Sequence, residues 1–244
     1  MNNSAEGRRS PCDPAAVPRR RRRWLALALA VWFGAATVPV QASTSQRLFL
    51  STLADLRRLD ASLRDVRAGL LSGPGSLSGC GKAPQGDLVL FYCPRDRTVY
   101  ALPRSIDLVA NQYGEAGVRY LAAHEMAHGR QHAITGYARE IVRSAVLDEL
   151  QADCIAGAYL NRLYGYTVES AAGRQALAFA YSIGDRAFYS RDWHGNPRLR
   201  LAALGRGLRQ GDPGRCLSSS RFNYATLLQA GNAWLQQLRR PRQP

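Results

Sequence analysis

The sequence predicts a mainly α-helical domain with one small β-hairpin, and three observations lead to this expectation. Apolar residues recur every three to four positions in several long segments, which is the periodicity of amphipathic helices. The β-rich runs "LVLFYCP" and "TVYAL" are separated only by "RDR", which predicts a hairpin. Hydrophobic residues make up 46% of the 244-residue chain, enough for a packed core.

The predicted elements follow one another from residue 45. Leucines and a valine at three- to four-residue spacing, with charges between them, predict a first helix over about 45–70. Five glycines and two prolines between Leu70 and Asp87 predict a loop before the hairpin. Helical patterns resume at Glu115, and the later helices are expected at about 115–135, 138–163, 170–185, 198–211 and 222–240.

The first 42 residues carry an export pattern. Five arginines at 19–23 precede the uncharged run Trp24–Val40, and "QA" follows that run. This order is typical of a secretory signal peptide, with cleavage after Ala42. The alternative is an uncleaved inner-membrane anchor with its arginines in the cytoplasm, although the run is slightly shorter than the ~20 residues of a spanning helix. Either way, residues 43–244 are exported, to the periplasm or out of the cell.

The chain is strongly basic, with a net charge of +15 and Lys82 as its only lysine. Such a balance can indicate a nucleic acid, an anionic lipid or an acidic substrate as partner. The near absence of lysine is equally typical of an arginine-rich genome, and no nucleic-acid motif is present, so we expect no nucleic-acid partner. A protein that binds anionic surfaces through its arginines is an alternative hypothesis, and its binding would depend strongly on salt concentration.

Four cysteines follow the apolar run, an even number that suits disulfides in an oxidising compartment. Three pairings are possible. We favour Cys80–Cys93, because these two flank a short apolar segment, and this leaves Cys154–Cys216. The alternative is four buried free thiols.

The stretch "HEMAH" is the strongest chemical signal in the chain. On a helix, His124 and His128 lie four residues apart on one face, so both can bind a single ion. Glu125 lies beside the first histidine and can take a proton from a water on that ion, which is the arrangement of zinc hydrolases. The alternative is a surface helix that carries these residues by chance. His132 lies eight residues from His124, a rise of ~12 Å, so one ion cannot bind both.

A third zinc ligand is expected from the next helix, where "LDELQADCIAG" holds Glu149 and Asp153 four residues apart. Both acids have small neighbours, which favours burial, and a buried carboxylate needs a cation or hydrogen bonds. We expect Glu149 to bind the metal and Asp153 to accept a hydrogen bond from an imidazole N–H, which would fix the tautomer of that histidine. The alternative is that both are solvated.

With these residues in place, a family resemblance becomes visible. "AHEMAHGRQ", "DELQADCIAGAY", "SIGDRAF" and "HGNPRLR" resemble, in order and spacing, the neutral zinc metallopeptidases of bacteria, over about residues 78–217. The resemblance implies a zincin-like helical metallopeptidase domain, with His124, His128 and Glu149 as zinc ligands and Glu125 as catalytic base. It also implies an exported or membrane-anchored protein.

Three departures from the family concern the substrate side rather than the ligands. Gly129 stands where the family tends to have a second histidine, Arg186 follows Gly184-Asp185 where the family has a second aspartate, and Asn196-Pro197 replaces small hydroxyl residues. His194, in "DWHGNP", is expected either to donate a hydrogen bond to the oxyanion or to cap loop backbone. Asp185 either supports the site or caps a helix.

Together these observations predict an exported zinc metallopeptidase that binds one Zn²⁺ per chain and cleaves protein or peptide substrates by attack of a zinc-activated water. The expected division is 1–42 as cytoplasmic tail and signal peptide or anchor, 43–77 as N-terminal helix and Gly/Pro linker, and 78–244 as metallopeptidase domain. The rival hypothesis is a zinc-stabilised cell-envelope binding protein without turnover. Glu125 favours the enzyme, because a purely structural zinc site has no use for a base there.

Overall fold

The computed structural model describes residues 42–135, 145–185 and 195–217, together with residues 227, 229, 231–233 and 236. The helices in these ranges are α1 Thr44–Leu59, α2 Pro103–Thr135, α3 Ala145–Tyr164, α4 Ala171–Ser182, α5 Pro197–Gln210 and α6 Pro213–Cys216. The strands are β1 Arg67–Leu70, β2 Leu77–Ser78, β3 Gly81–Lys82, β4 Leu90–Cys93 and β5 Thr98–Ala101. The expectation of a mainly helical fold with a small β component is confirmed.

Several predictions fall on parts of the chain that lie outside the described residues. These are the export segment up to residue 41, the start of the helix expected from 138, His194, and most of the helix expected at 222–240. No helix within the described ranges is long and apolar enough to cross a bilayer.

Helix α1 is shorter than the sequence predicted. It begins with a capping box, in which the Ser43 hydroxyl accepts from the Gln46 N–H and the Gln46 side chain accepts from the Ser43 N–H. It ends at Leu59, because Asp60 adopts extended backbone and its carboxylate caps a 3₁₀ turn over Ala61–Leu63. The expected helix is therefore wrong beyond residue 59, and residues 67–70 instead form β1.

Three of the strands form a mixed sheet in the order β1-β5-β4. The predicted hairpin is confirmed, since β4 and β5 pair antiparallel with Leu90 opposite Ala101. Strand β1 adds to the other side of β5 in parallel, with Arg67 opposite Thr98. Strand β4 is thus an edge strand among the described residues. The predicted loop before the hairpin also contains the short antiparallel pair β2–β3.

Helix α2 bends at Gly114, whose φ of 62° and ψ of −161° are not helical. A positive φ of this size favours glycine, which has no Cβ to clash with the backbone. The bend divides α2 into a first half, 103–113, and a second half, 115–135. The sequence predicted only the second half, which carries the HEMAH motif.

Helix α3 is deeply packed, since its residues 150–160 are all buried. It meets α5 at two glycines with almost no space between the backbones. A Cβ on Gly157 would lie 2.2 Å from the Leu204 carbonyl oxygen, and one on Gly207 would lie 1.9 Å from the Cys154 carbonyl oxygen. Such contacts are closer than real Cβ atoms ever approach, so the two helices can cross this tightly only because both positions are glycine.

Two disulfides join the elements, with the pairing that the sequence favoured. Cys80–Cys93 links the β2–β3 turn to the end of β4, and Cys154–Cys216 links α3 to α6. Residues 43–77 pack into the rest of the fold, because Phe49, Leu53 and Leu56 of α1 belong to the same hydrophobic core as α2 and α3.

Candidate metal centre

Two helices bring three candidate ligands together. His124 and His128 lie one turn apart on the second half of α2, and Glu149 projects toward them from α3. The two Nε2 atoms lie 3.2 Å apart. Glu149 places Oε2 at 3.1 Å from the His124 Nε2 atom and Oε1 at 3.3 Å from the His128 Nε2 atom. His124 is buried, and the other two side chains are half-buried.

Asp153, one turn after Glu149 on α3, lies on the far side of the His124 ring. Its Oδ1 atom is 2.8 Å from the His124 Nδ1 atom. An ionised carboxylate only accepts hydrogen bonds, so Nδ1 must carry a proton. In the neutral imidazole, Nε2 then presents a lone pair to the Glu149 carboxylate.

A lone pair that faces a carboxylate at 3.1 Å is unfavourable unless a cation lies between them. Two imidazole nitrogens and one carboxylate oxygen are the ligand set of many catalytic zinc sites, which leave a fourth position open. The arrangement of these three side chains therefore fits Zn²⁺.

A proton can take the place of that cation. Burial lowers the pKa of His124, but its hydrogen bonds to Asp153 and Glu149 and the charges of these acids outweigh burial and raise the pKa to about 10. Burial likewise opposes protonation of His128, and Glu149 nevertheless raises its pKa. For Glu149, burial raises the pKa, but the two histidines hold it well below its usual range. The cluster thus attracts positive charge strongly.

Arg200 of α5 completes the surroundings of Asp153. Its Nε atom donates to Asp153 Oδ2 at 2.9 Å and its Nη2 atom to Oδ1 at 2.9 Å, and the Tyr120 hydroxyl also donates to Oδ1, at 2.6 Å. The Arg200 Nη2 atom lies 3.9 Å from Glu149 Oε2. Burial would raise the pKa of Asp153, but the Arg200 charge, followed by the His124 hydrogen bond, lowers it. Arg200 thus keeps Asp153 ionised behind His124.

Glu125 lies beside the three candidate ligands and contacts the edge of the sheet. Its Oε2 atom accepts a hydrogen bond of 2.7 Å from the backbone N–H of Tyr92 in β4. The side chain is buried but lines the same cleft as the two histidines and Glu149. One carboxylate oxygen is therefore held in place while the group remains next to the cleft.

The cleft has a volume of about 570 Å³. Its polar floor consists of the candidate ligands with Glu125, Tyr120 and Arg200. Apolar side chains line the remainder, namely Leu88, Leu90, Phe91, Pro94, Leu121 and Ile183. His132 lines the cleft but is not one of the three grouped ligands, and its Nδ1 atom lies 2.9 Å from the Tyr92 hydroxyl.

The structure thus brings together His124, Glu125, His128, Glu149 and Asp153, five of the residues that the sequence singled out. His194 lies outside the described residues. Asp185 is half-buried, and its backbone N–H donates to the Gly195 carbonyl at 3.0 Å. Sequence reasoning missed Tyr92, Arg200, Tyr120 and Gln131. Of these four, only Tyr120 and Gln131 could have been found from local spacing. Tyr120 lies four residues before His124, and Gln131 lies three residues after His128, on the same helix.

A family model described as "Putative neutral zinc metallopeptidase" matches residues 70–218. The chain is 31% identical to the uncharacterized protein YpfJ of Escherichia coli K12 over 163 residues, which cover 57% of this chain and 56% of that protein. It is 29% identical to the uncharacterized protein Rv2575 of Mycobacterium tuberculosis H37Rv over 171 residues, 57% of each chain. The match thus spans a little over half the length of these relatives. No solved structure matches the chain.

Proposed function

The chain belongs to the neutral zinc metallopeptidase family, and from this premise we propose that it is an exported zinc-dependent peptidase that hydrolyses peptide bonds in protein or peptide substrates. The observation that carries the proposal is the convergence of His124, His128 and Glu149, with a carboxylic acid, Glu125, next to them in an open cleft.

In this proposal, His124, His128 and Glu149 hold one zinc ion. When bound, zinc would supply Lewis-acid chemistry, because it lowers the pKa of a water molecule and polarises a peptide carbonyl. Asp153 fixes the His124 ring with Nε2 toward the metal, and Arg200 with Tyr120 fixes Asp153. The chain thus holds its ligands in place before a substrate arrives.

Glu125 acts as the general base. It accepts the proton of the attacking water and later passes it to the leaving amine nitrogen, which needs a carboxylate within hydrogen-bond reach of both. The Tyr92 N–H occupies Oε2 at 2.7 Å and orients the carboxyl plane, and Oε1 has no such bond among the described residues. We therefore propose that Oε1 is the oxygen that accepts the proton of the attacking water.

The substrate would lie along β4. This strand pairs with β5 on one side, and its other edge faces the cleft. An extended peptide can therefore add to it by main-chain hydrogen bonds at positions other than the Tyr92 N–H, which already donates to Glu125. The apolar lining near Leu90 and Leu121 favours an apolar substrate side chain next to the cleaved bond. His194 remains our prediction for the oxyanion donor.

Export rests on two features. Two disulfides are typical of proteins that fold in an oxidising compartment. The arginines at 19–23, the apolar run and the small residues after it have the order of a signal peptide. We propose that residues 1–42 direct export and that the remainder of the chain forms the peptidase.

The test compares Glu125→Gln with wild type in zinc content and in cleavage of an unfolded protein such as casein. The amide keeps the size of the side chain but cannot accept the proton, so cleavage should fall by about 100- to 10,000-fold while zinc stays bound. Glu115→Gln is the matched control, because Glu115 is an exposed residue of the same helix, and it should cleave like wild type.

Two results would count against the peptidase. If Glu125→Gln cleaved as fast as wild type, Glu125 would not be the base. If wild type bound zinc and cleaved none of a broad peptide library, the zinc-stabilised envelope protein would be the better description.

A further inference from the structure

Two glutamine side chains, Gln131 and Gln151, lie behind His128 and connect it to backbone carbonyls. Gln131 Oε1 lies 2.9 Å from the His128 Nδ1 atom. Gln131 Nε2 lies 3.0 Å from Gln151 Oε1 and 2.8 Å from the Asp148 carbonyl oxygen. Gln151 Nε2 lies 3.0 Å from the Cys216 carbonyl oxygen. We call this pair of side chains the glutamine relay.

The two carbonyls decide which way the relay points. A backbone carbonyl only accepts hydrogen bonds, so Gln151 must direct its NH₂ group to Cys216 and its oxygen to Gln131. Gln131 must likewise direct its NH₂ group to the Asp148 carbonyl and to the Gln151 oxygen, since both are acceptors. Its own oxygen therefore faces His128. The opposite orientation of either amide would bring acceptors face to face in a buried place.

The orientation of the relay sets the tautomer of His128. Because the Gln131 oxygen is an acceptor, the His128 Nδ1 atom must carry the proton, and Nε2 presents a lone pair toward His124 and Glu149. His128 thus reaches the same tautomer as His124 by a different route. His124 uses a carboxylate, Asp153, and His128 uses a neutral amide.

A neutral partner suits this position. Glu125, Glu149 and Asp153 already place three carboxylates around the two histidines, and within the described part of the chain the cation Arg200 contacts two of them, Glu149 and Asp153. A fourth carboxylate would add like charge to a buried cluster. An amide can fix the tautomer without adding charge, provided that something fixes the amide. The Cys154–Cys216 disulfide holds the Cys216 carbonyl against α3, and so fixes the far end of the relay.

We propose that Gln131 and Gln151 are positioning residues that select the Nδ1–H tautomer of His128 and thereby aim its Nε2 atom at the metal. The role in metal binding rests on the proposed zinc site, whereas the tautomer is a property of the metal-free chain. Gln131 carries the larger share, because it contacts the imidazole and retains the Asp148 carbonyl when Gln151 is lost.

The test uses Gln131→Met, Gln151→Met and the matched control Gln112→Met in the full-length chain. Gln112 is an exposed residue of the same helix, α2, so its substitution repeats the chemical change away from the relay. Zinc affinity is measured by competition with a chelator. Loss of such a partner behind a metal ligand typically weakens binding by about 10- to 100-fold. We expect a loss of this size for Gln131→Met, a smaller loss for Gln151→Met and none for Gln112→Met.

The second readout is the tautomer itself, from ¹⁵N NMR of histidine-labelled, metal-free wild type. The pH must be high enough to deprotonate both rings, above the raised pKa of His124, about 10. The chain has four histidines, so the spectrum is simple to assign. His128 should be Nδ1–H in wild type and a mixture in Gln131→Met. An Nε2–H ring in wild type, or folded Gln131→Met that binds zinc within about threefold of wild type, would overturn the proposal. If wild type bound no zinc, only the proposed function would fail, because the measured tautomer of His128 would still test the role of the glutamine relay.

Discussion

Replacement of Arg200 by methionine should be among the most destabilising single changes near the cleft. Arg200 is 3% exposed and Asp153 is fully buried, and two hydrogen bonds of 2.9 Å join them. Methionine fills much of the volume, but among the described residues it leaves only the Tyr120 hydroxyl and His124 in contact with the Asp153 charge. Removal of one partner of a buried ion pair costs about 3–5 kcal/mol, which is the loss expected of the zinc-bound chain, in which the His124 ring is neutral.

That loss is a large fraction of the free energy of unfolding of a domain, which is usually about 5–15 kcal/mol. For a chain of this size, 1 kcal/mol corresponds to about 2–4 °C in Tm, so we expect Tm to fall by about 6–20 °C. Thermal and urea denaturation followed by circular dichroism would measure it. Arg198→Met, two residues earlier on α5 and exposed, is the control and should change stability by less than about 0.5 kcal/mol.

The pH dependence of this loss follows from the depressed pKa of Asp153. A group whose pKa is lower in the folded than in the unfolded chain contributes stability above its unfolded pKa, about 3.9, and this contribution disappears as pH falls through the folded pKa. The difference between wild type and Arg200→Met should therefore be full at pH 7 and shrink in acid. A loss below about 1 kcal/mol at pH 7, or one equal to that of Arg198→Met, would refute the argument that Arg200 stabilises a buried charge.

Three further predictions concern the disulfides, the crossing of α3 with α5, and proton release. Removal of the Cys154–Cys216 disulfide, which closes a loop of 62 residues, should lower the free energy of unfolding by about 4 kcal/mol. Removal of Cys80–Cys93, which closes a loop of 13 residues, should lower it by about 3 kcal/mol. Urea denaturation of the two paired Cys→Ala variants measures both losses, and equal or reversed losses would contradict the dependence on loop length. Gly207→Ala should force α5 away from α3 and cost at least about 1–3 kcal/mol, whereas Gly73→Ala, with open space around it, should be nearly neutral. Zinc binding at pH 7 should release about one proton or more, because the raised pKa of His124, about 10, means that this ring is charged before the metal enters. Calorimetry in buffers of different ionisation enthalpy measures this release, and a value of zero would show that the rings are already neutral.

Local patterns in the sequence were reliable where local contacts decide the structure. The hairpin was predicted because β4 and β5 are adjacent in the chain and separated by a tight turn. Strand β1 was missed because it pairs with β5 about 30 residues later, and its apolar spacing continues that of α1. Leu63 and Val66 do reach the same core as the α1 leucines, but through a turn rather than a helix.

The residues of the candidate site likewise include some that the sequence could predict and some that it could not. His124, Glu125 and His128 lie within one helical turn, so their spacing alone places them together. Glu149 and Asp153 could be proposed because their own spacing matches one helix face. Arg200 and Tyr92 could not, because they reach the site only through the α3–α5 crossing and the edge of the sheet, contacts between elements that no single segment encodes.

The most direct test of the proposed metal centre is the zinc content of purified residues 43–244, for wild type beside Glu149→Ala. Glu149 is the ligand that comes from a second helix, so it tests the assembled site rather than the HEMAH motif. We expect about one zinc per wild-type chain and its loss in Glu149→Ala, with both proteins folded. Folded wild type without zinc, or Glu149→Ala that binds zinc like wild type, would contradict this expectation.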